Sequence, residues 1–341
     1  ERSQDREELS RRARAYFLSL AEGTHGRGAK ANRADLSSLV EAERANLRAT
    51  ICRAIDNRAT CEVDGNTRSY ALVLTAFLFG HLNARGDWLE GAVLCSWSLA
   101  ADDTVTPIRG SVILQLATFL SQLDQPNLAR GYWAAGLRAA RTLGHPLLKS
   151  TALQNLALDA NLRCAHAREA RYLQRALVVA QRTEDLQGEA LARACLVAPL
   201  LELNAVDEAK KHLEDAYHDC AVLEARGTSS DQVRAVLQLA LGEVALKENR
   251  ARDAWSLFQT ALAQRRKLKN AEGVLAALLG LARASILRQE YGTAEKSLRP
   301  AFSILVRDRI PASLRAYSIC LFATVLSHLG KDFSAVRLFG L

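Results

Sequence analysis

The sequence predicts an all-α protein, a right-handed superhelical solenoid of antiparallel helix pairs. Alanine, leucine, arginine and glutamate, which favour helices, are abundant among its 341 residues, and only six residues are prolines. Bulky and small residues recur at a spacing of about 40 positions, which indicates stacked copies of one unit. Polar segments interrupt every apolar run, and a heptad coiled coil is therefore excluded.

The repeated unit begins with a bulky residue that a small one follows, as at Leu241. Thirteen positions further on comes another small residue, Ala254, and four positions after that a large one, Phe258. The same pattern starts at positions 116, 156, 196, 281 and 322. Glu169 departs from it in the small column, and the long step of 45 residues before Leu241 is assigned to a loop at 226–232.

Helix pairs with such a pattern cannot bury their apolar stripes alone. The small residues allow two helices to approach closely, and the large residue fills the gap beside them. Each pair then needs a neighbouring pair to cover its remaining apolar face. We expect residues 1–60 to form an N-terminal helical linker segment and residues 61–341 to form the repeat array.

This spacing resembles the tetratricopeptide repeat, which has small residues at its eighth and twentieth positions and a bulky one at its twenty-fourth. The resemblance covers residues 70–341, as about seven units. The period near 40 exceeds the usual length of about 34 residues in that family. Longer units of this kind resemble those in the arms of MalT-like regulators.

Two N-terminal segments extend the resemblance. The stretches "RRARAYFLSLAEG" at 11–23 and "LVEAERANLRATICRAID" at 39–56 are similar to the region that precedes the repeats in bacterial STAND-type ATPases. The second stretch matches the Glu-x-x-Asn-Leu-Arg pattern of that family at Glu43, Asn46, Leu47 and Arg48. The ending "AVRLFG" at 335–340 also resembles the close of such arrays.

The resemblance implies a non-catalytic sensor or scaffold module without a cofactor, namely the ligand-sensing arm of a STAND-type ATPase or transcriptional regulator. We expect the ATPase domain to lie upstream of Glu1 in a longer chain, and the absence of methionine agrees with a fragment. A first alternative is a stand-alone scaffold subunit, similar to subunit five of the anaphase-promoting complex. A second alternative is nucleic-acid binding through the basic C-terminal quarter.

In the repeats that this sequence resembles, the second, fifth and ninth positions of each first helix line a groove. These positions share one helix face because they are three and four residues apart. The columns here are mainly apolar and small, with an expected ion pair between Glu243 and Arg283 and without the Lys and Asn pattern of chaperone-binding members. The candidate binding residues are Gln154, Leu158, Leu191, Glu243, Arg283, Tyr317 and Thr324. We expect the partner to be a protein or peptide helix, a small effector, or the nucleotide-binding domain of the same chain.

The positive net charge of +8 is concentrated near the C-terminus, since residues 251–341 carry 14 basic and 6 acidic side chains. The densest cluster is Arg265, Arg266, Lys267 and Lys269 at the end of a second helix. Cations there complement the negative end of the helix dipole, and no aromatic residue flanks them for base stacking. We therefore predict no nucleic-acid binding at physiological salt.

Other candidate sites have simpler explanations. His212, Asp215 and Asp219 share a helix face that could hold a metal, but the segment is also the second helix of a repeat, and no metal site is predicted. The stretch "GTHGRGAK" at 23–30 is not a phosphate loop, because Ala29 separates the second glycine from the lysine. No arrangement of catalytic residues is evident, and no enzymatic activity is predicted.

The sequence favours a cytoplasmic protein. Its longest apolar run, at 70–82, is too short to span a membrane, and the charged N-terminus lacks a signal-peptide pattern. Seven scattered cysteines without a CxxC pair indicate reduced thiols that pack as small hydrophobic side chains.

Overall fold

The computed structural model describes residues 12–13, 15–21, 33–63, 66–268, 270–307 and 312–331. The chain divides into two compact units, which we call unit 1 (Glu1–Ala152) and unit 2 (Leu153–Leu341). A boundary at residue 60 stays a prediction. The stretches at 23–30 and 335–340, on which the phosphate-loop and array-end interpretations depend, lie outside the described residues.

Unit 1 begins with helical segments and a short β-hairpin. Helices α1 (Arg33–Ala42) and α2 (Arg44–Asp56) precede strands β1 (Thr60–Val63) and β2 (Asn66–Ser69). The strands are antiparallel, with Thr60 opposite Ser69. The expectation of a chain without any strand is therefore wrong at this point. The sequence Asp64–Gly65 between the strands is typical of tight hairpins, and this signal was available in the sequence.

Beyond the hairpin, the described residues form consecutive antiparallel helix pairs, and the predicted fold class is confirmed. The pairs are α3 (Tyr70–Arg85) with α4 (Trp88–Ala101), α5 (Pro107–Gln122) with α6 (Pro126–Thr142), α7 (Pro146–Leu162) with α8 (His166–Arg182), α9 (Leu186–Glu202) with α10 (Val206–Ala225), α11 (Asp231–Lys247) with α12 (Ala251–Lys267), and α13 (Ala271–Leu287) with α14 (Tyr291–Arg307). A further first helix, α15 (Ala312–His328), follows.

The helix starts reproduce the predicted period of about 40 residues. Two features lengthen the step before α11. The first is the length of α10, which has 20 residues whereas α8 and α12 have 17 each, and the second is the segment between α10 and α11. Only residues 226–230 separate α10 from α11, and α11 already starts at Asp231. The predicted loop at 226–232 is therefore two residues too long, and extra helix accounts for the rest of the step.

The turn after each first helix contains one residue in the left-handed backbone region. These residues have φ between 54° and 77° and follow the same period: Gly86, Asp124, Cys164, Asn204, Asn249, Gln289 and Gly330. A left-handed residue ends a helix because it lets the following N–H groups bond to the last carbonyls. Residue type varies at this position, so the sequence pattern of small and bulky residues did not reveal the shared geometry.

The core confirms the register of the repeat. The second small column is buried, and Ala129, Ala209, Ala254 and Ala294 are each 0% exposed. Phe258 packs its ring against two glycines, since a Cβ placed on Gly242 or Gly280 would lie 2.6 Å or 2.5 Å from a ring carbon. Only glycine at both places gives the aromatic ring its room between neighbouring pairs.

Glu169 departs from the small column because its carboxylate has polar partners. The Asn161 side-chain amide donates to both carboxylate oxygens, at 3.0 and 3.1 Å, and His166 Nδ1 lies 3.5 Å from one of them. Burial nevertheless raises the pKa of Glu169, although Asn161 and His166 oppose the rise. The first turn of α8 thus contains a carboxylate that binds its proton more tightly in the folded chain.

Glu169→Gln should stabilise the protein at neutral pH more than at acidic pH. Because the pKa of Glu169 is raised on folding, the free energy of unfolding falls as pH increases from about 4 towards 7, and the neutral side chain escapes this loss. Urea denaturation at both pH values measures the effect, with exposed Glu214→Gln as the control. An equal difference from the wild type at pH 4 and pH 7 would contradict it.

None of the described helices is long and apolar enough to cross a membrane. No disulfide joins the seven cysteines, all of which lie in the described part of the chain. Cys95 and Cys220 are buried and fit the interpretation as small hydrophobic side chains, whereas Cys164 and Cys320 are exposed and do not. A cytoplasmic location stays a prediction.

Candidate partner-binding groove

The first helices of unit 2 lie side by side. Helix α9 contacts α11, and α11 contacts α13, in addition to the contacts of each helix with its own partner. Positions that recur along these first helices therefore come together on one face of unit 2. This face, which we call the groove, carries Leu191, Glu243 and Arg283. That it extends to Gln154 and Leu158 on α7 and to Tyr317 and Thr324 on α15 stays a prediction.

Solvent exposure differs among the predicted groove columns. Leu158 is 53% exposed and Tyr317 is 46% exposed, which is unusual for large apolar side chains. Ala194 and Leu279, from the fifth column, are only 2% and 4% exposed, so that column contributes to the core in these two repeats. The expectation that all three columns line the groove is wrong there, because the fifth position turns towards the neighbouring helices.

The remaining predicted residues are accessible to different degrees. Gln154 on α7 and Leu191 on α9 are half-buried. Thr324 on α15 is exposed, and its hydroxyl donates to the carbonyl of Cys320 in the same helix. Their role in binding stays a prediction.

The predicted ion pair between Glu243 and Arg283 is present. Arg283 Nη1 donates to both carboxylate oxygens of Glu243, at 2.7 and 2.8 Å. The two residues lie on α11 and α13, so their side chains join successive first helices. Their spacing of 40 residues equals the period of the repeat, and this equality is the signal by which the sequence predicted the contact.

Two further residues act on the same pair. Burial would lower the pKa of Arg283, but Glu243, Tyr317 and Glu202 outweigh it and raise that pKa. Burial raises the pKa of Tyr317, Arg283 opposes the rise, and Glu243 and Glu202 add to it. Glu202, Glu243, Arg283 and Tyr317 therefore form one electrostatic cluster, which we call the groove cluster.

The sequence analysis missed Glu202. It occupies the last position of α9 and follows Ala198, the ninth-position residue, by one helical turn. The three-column template ends at the ninth position and could not include it. Two carboxylates and one guanidinium give the groove cluster one excess negative charge, and its fourth member, Tyr317, is an exposed aromatic side chain.

The helix face with His212 is occupied by an arginine. Arg193 contacts the Asp219 carboxylate, and Arg193 Nε lies 3.8 Å from Asp215 Oδ2. Arg193 Nη2 also lies 2.7 Å from Glu189 Oε1. Both aspartates of the metal site considered from the sequence thus lie next to the Arg193 cation. The described residues contain no group of ligands able to hold a metal.

The two N-terminal stretches of unit 1 meet at a cleft. Tyr16 and Phe17 from the first stretch, and Glu43 and Asn46 from the second, line a cavity of about 400 Å³. The Asn46 amide donates to Glu43 Oε2 at 2.8 Å, and Leu47 is fully buried. The residues that carry the STAND-like resemblance are therefore neighbours in the fold.

The basic cluster of the C-terminal quarter is only partly a surface. Arg265 is 6% exposed, and its side chain lies on Gly273, where a Cβ would be 2.4 Å from Arg265 Cδ. Arg265, Arg266 and Lys267 occupy the last turn of α12, where they complement the helix dipole. Lys269 lies outside the described residues. The absence of nucleic-acid binding stays a prediction.

Solved structures with a similar fold are tetratricopeptide-repeat proteins. NprR in complex with its cognate peptide NprX aligns with a TM-score of 0.63 at 11% identity, over 98% of this chain and 89% of that one. The APC/C hetero-tetramer Cut9–Hcn1 aligns with a TM-score of 0.58 at 18% identity, over 96% and 55% of the two chains. No protein-family model and no curated protein matches the sequence.

A third structure is a signal transduction ATPase with numerous domains (STAND) from Pyrococcus horikoshii, which has a tetratricopeptide repeat sensor. It aligns with a TM-score of 0.52 at 13% identity, over 99% of this chain and 52% of that one. At such identities the similarity defines the fold alone. Beyond the hairpin of unit 1, the described residues form a helical repeat array of the tetratricopeptide type, the fold that these solved structures share.

Proposed function

We propose that the protein is a non-catalytic binding module that holds a polypeptide segment in the groove of unit 2. The Glu243–Arg283 ion pair is the observation that carries this proposal, because Arg283 Nη1 donates to both Glu243 carboxylate oxygens and so joins α11 to α13 at two predicted groove positions. Exposed Leu158 and Tyr317 supply apolar contact area for the same partner. NprR, which has a similar fold, forms a complex with a peptide.

The charge of the groove cluster defines the chemistry of the partner. Arg283 neutralises Glu243 directly, whereas Glu202 has no cation within ion-pair distance among the described residues. A lysine, arginine or terminal amine of the partner would balance Glu202, and neighbouring apolar side chains would cover Tyr317 and Leu158. We therefore propose a partner segment with a positive charge beside apolar residues.

We further propose that this module is the sensor arm of a STAND-type ATPase. The cleft between the two N-terminal stretches, and the array that follows them, support this role, as does the fold similarity to the STAND protein. The coding sequence upstream of Glu1 tests it directly. A strand followed by a phosphate loop and a helix would support the sensor arm, and an upstream region without them would favour a scaffold subunit.

The scaffold alternative is favoured by a different similarity. Cut9–Hcn1 is an assembly of the APC/C, and its fold similarity to this chain extends over 96% of the chain. A scaffold subunit would also use the groove to hold a polypeptide. The two roles differ in whether the bound segment changes the activity of an attached ATPase domain.

Selection of random peptides on the purified chain tests the groove. Enriched peptides should contain lysine or arginine next to leucine, isoleucine or phenylalanine. Their affinity, measured by isothermal titration calorimetry, should fall roughly tenfold or more when Glu202 and Glu243 are both changed to glutamine, because contacts to charged groups are worth about 1.5–3 kcal/mol.

The control for this experiment is Glu214→Gln, which removes an exposed carboxylate from the second helix α10. It should leave the affinity unchanged. The proposal fails if the selected peptides are acidic, or if the double variant binds them as tightly as the wild type.

A further inference from the structure

Helix α8 presents a row of arginines to solvent. Arg168, Arg171 and Arg175 are exposed, and Val178, 43% exposed, and Arg182 continue the row. The spacing of three, four, three and four residues keeps all five on one face of the helix. We call this row the arginine stripe, and it extends over roughly 21 Å at a rise of 1.5 Å per residue.

The arginines of the stripe have no acidic partner in the part of the chain that the structure describes. Other arginines of unit 2 pair with carboxylates, as Arg234 does with Glu224 and Arg299 with Glu295. Within the stripe, Arg171 Nε donates a hydrogen bond to the carbonyl oxygen of Ala167 in the same helix, at 3.2 Å. With respect to the described residues, the stripe is therefore a row of guanidinium groups that no carboxylate neutralises.

A cavity accompanies the stripe. Its volume is about 410 Å³, and its described walls are Arg168, Arg171, Tyr172, Gln174, Arg175 and Val178, all from α8. Tyr172 is half-buried and Val178 is exposed, so the cavity also offers apolar area between the guanidinium groups. The described walls thus combine guanidinium groups with apolar area, and such a surface suits the side chains of a second protein element.

We propose that the arginine stripe is a docking surface for an acidic α-helix of a partner protein. Positions spaced three and four residues apart over four turns are those that face a second helix laid alongside. Arginine forks bind carboxylates with two parallel hydrogen bonds. A partner helix with glutamate or aspartate at the same spacing would thus neutralise the whole row, and a small apolar side chain would reach Val178.

A protein helix fits the surroundings better than a nucleic acid. Helix α9 packs against both α8 and α10, and α10 exposes the acidic side chains of Asp207, Glu208 and Glu214. A duplex that extended beyond α8 would bring its phosphates towards these carboxylates. Single strands stack on exposed aromatic rings, whereas Tyr172, the aromatic residue among the described walls of the cavity, is half-buried.

The experiment that tests the arginine stripe uses a different peptide and different variants from the experiment that tests the groove. The probe is a fluorescein-labelled amphipathic peptide of about 21 residues, or three heptads, with glutamate on its recognition face. It should bind the purified chain, whereas the same peptide with glutamine in those places should not, and added NaCl should weaken binding through screening. Fluorescence anisotropy gives each affinity. Changing Arg168, Arg171 and Arg175 together to glutamine should reduce the affinity roughly tenfold or more.

The matched control changes three exposed arginines elsewhere in unit 2, namely Arg226, Arg252 and Arg266, to glutamine and should leave the affinity unchanged. Circular dichroism verifies that both triple variants remain helical. Equal binding of the glutamine peptide, or equal loss in the control variant, would overturn the proposal. Tighter binding of duplex DNA than of the acidic peptide, lost in the stripe variant, would replace it with a nucleic-acid site.

Discussion

Phe258→Ala should lower the free energy of unfolding of unit 2 by ~3–5 kcal/mol. The side chain is 1% exposed, and its ring lies against Gly242 of α11 and Gly280 of α13. Alanine leaves a cavity between two successive pairs that neither glycine can fill, because glycine has no side chain to move into the space. The loss therefore combines the transfer term of the removed ring with the cavity term.

Urea denaturation followed by circular dichroism measures this effect, and the fluorescence of Trp255 reports on the same helix. The control is Gln259→Ala, an exposed neighbour of Phe258 whose truncation should change stability by less than about 0.5 kcal/mol. A loss from Phe258→Ala that does not exceed the loss from the control would mean that the register of the repeat is wrong.

The columns of the repeat could be predicted because they depend on packing alone. Close approach of two helices demands small residues, so Ala129, Ala209, Ala254 and Ala294 are recognisable in the sequence without any knowledge of the partner helix. The ion pair between Glu243 and Arg283 could also be predicted from the sequence. When first helices lie side by side, residues one period apart become neighbours.

The features that escaped prediction depend on local backbone geometry or on helix ends. The left-handed turn residues include Cys164 and Gln289, whose types carry no turn signal of their own. Glu202 belongs to the groove cluster but occupies the last position of α9, beyond the second, fifth and ninth positions from which the groove was predicted. Glu169 is buried although it is charged, because Asn161 supplies two hydrogen bonds from across the turn.

The arginine stripe and the groove cluster differ in how they follow from sequence. The stripe obeys helical periodicity within α8 alone, so its spacing is visible in the sequence once the helix is assigned. Helical periodicity alone does not tell whether the stripe lies on the exposed or the buried face of α8. The exposure of its side chains in the structure was needed to identify it as a surface. The groove cluster draws on residues of different first helices, and the contacts of α9 with α11 and of α11 with α13 come from the structure.

Arg193→Met should lower the free energy of unfolding by ~3–5 kcal/mol, because it removes the cation from a buried carboxylate. Asp219 is 6% exposed and contacts the Arg193 guanidinium. Burial raises the pKa of Asp219, and Arg193 opposes that rise. Without the arginine, the folded chain must either desolvate an unpaired charge or protonate Asp219, and both options cost stability at neutral pH. Urea denaturation at pH 7 measures the loss, with exposed Arg252→Met as the control.

A second substitution separates the charge from the packing of the arginine stem. Asp219→Asn in the Arg193→Met background should recover much of the loss, since the uncompensated charge is then absent. Stability of the single variant should also recover as pH falls, because a carboxyl whose pKa is raised on folding favours the folded state when it is protonated. If neither the second substitution nor low pH restores stability, the cost comes from lost contacts of the arginine stem, and the Arg193–Asp219 pair contributes no electrostatic stabilisation.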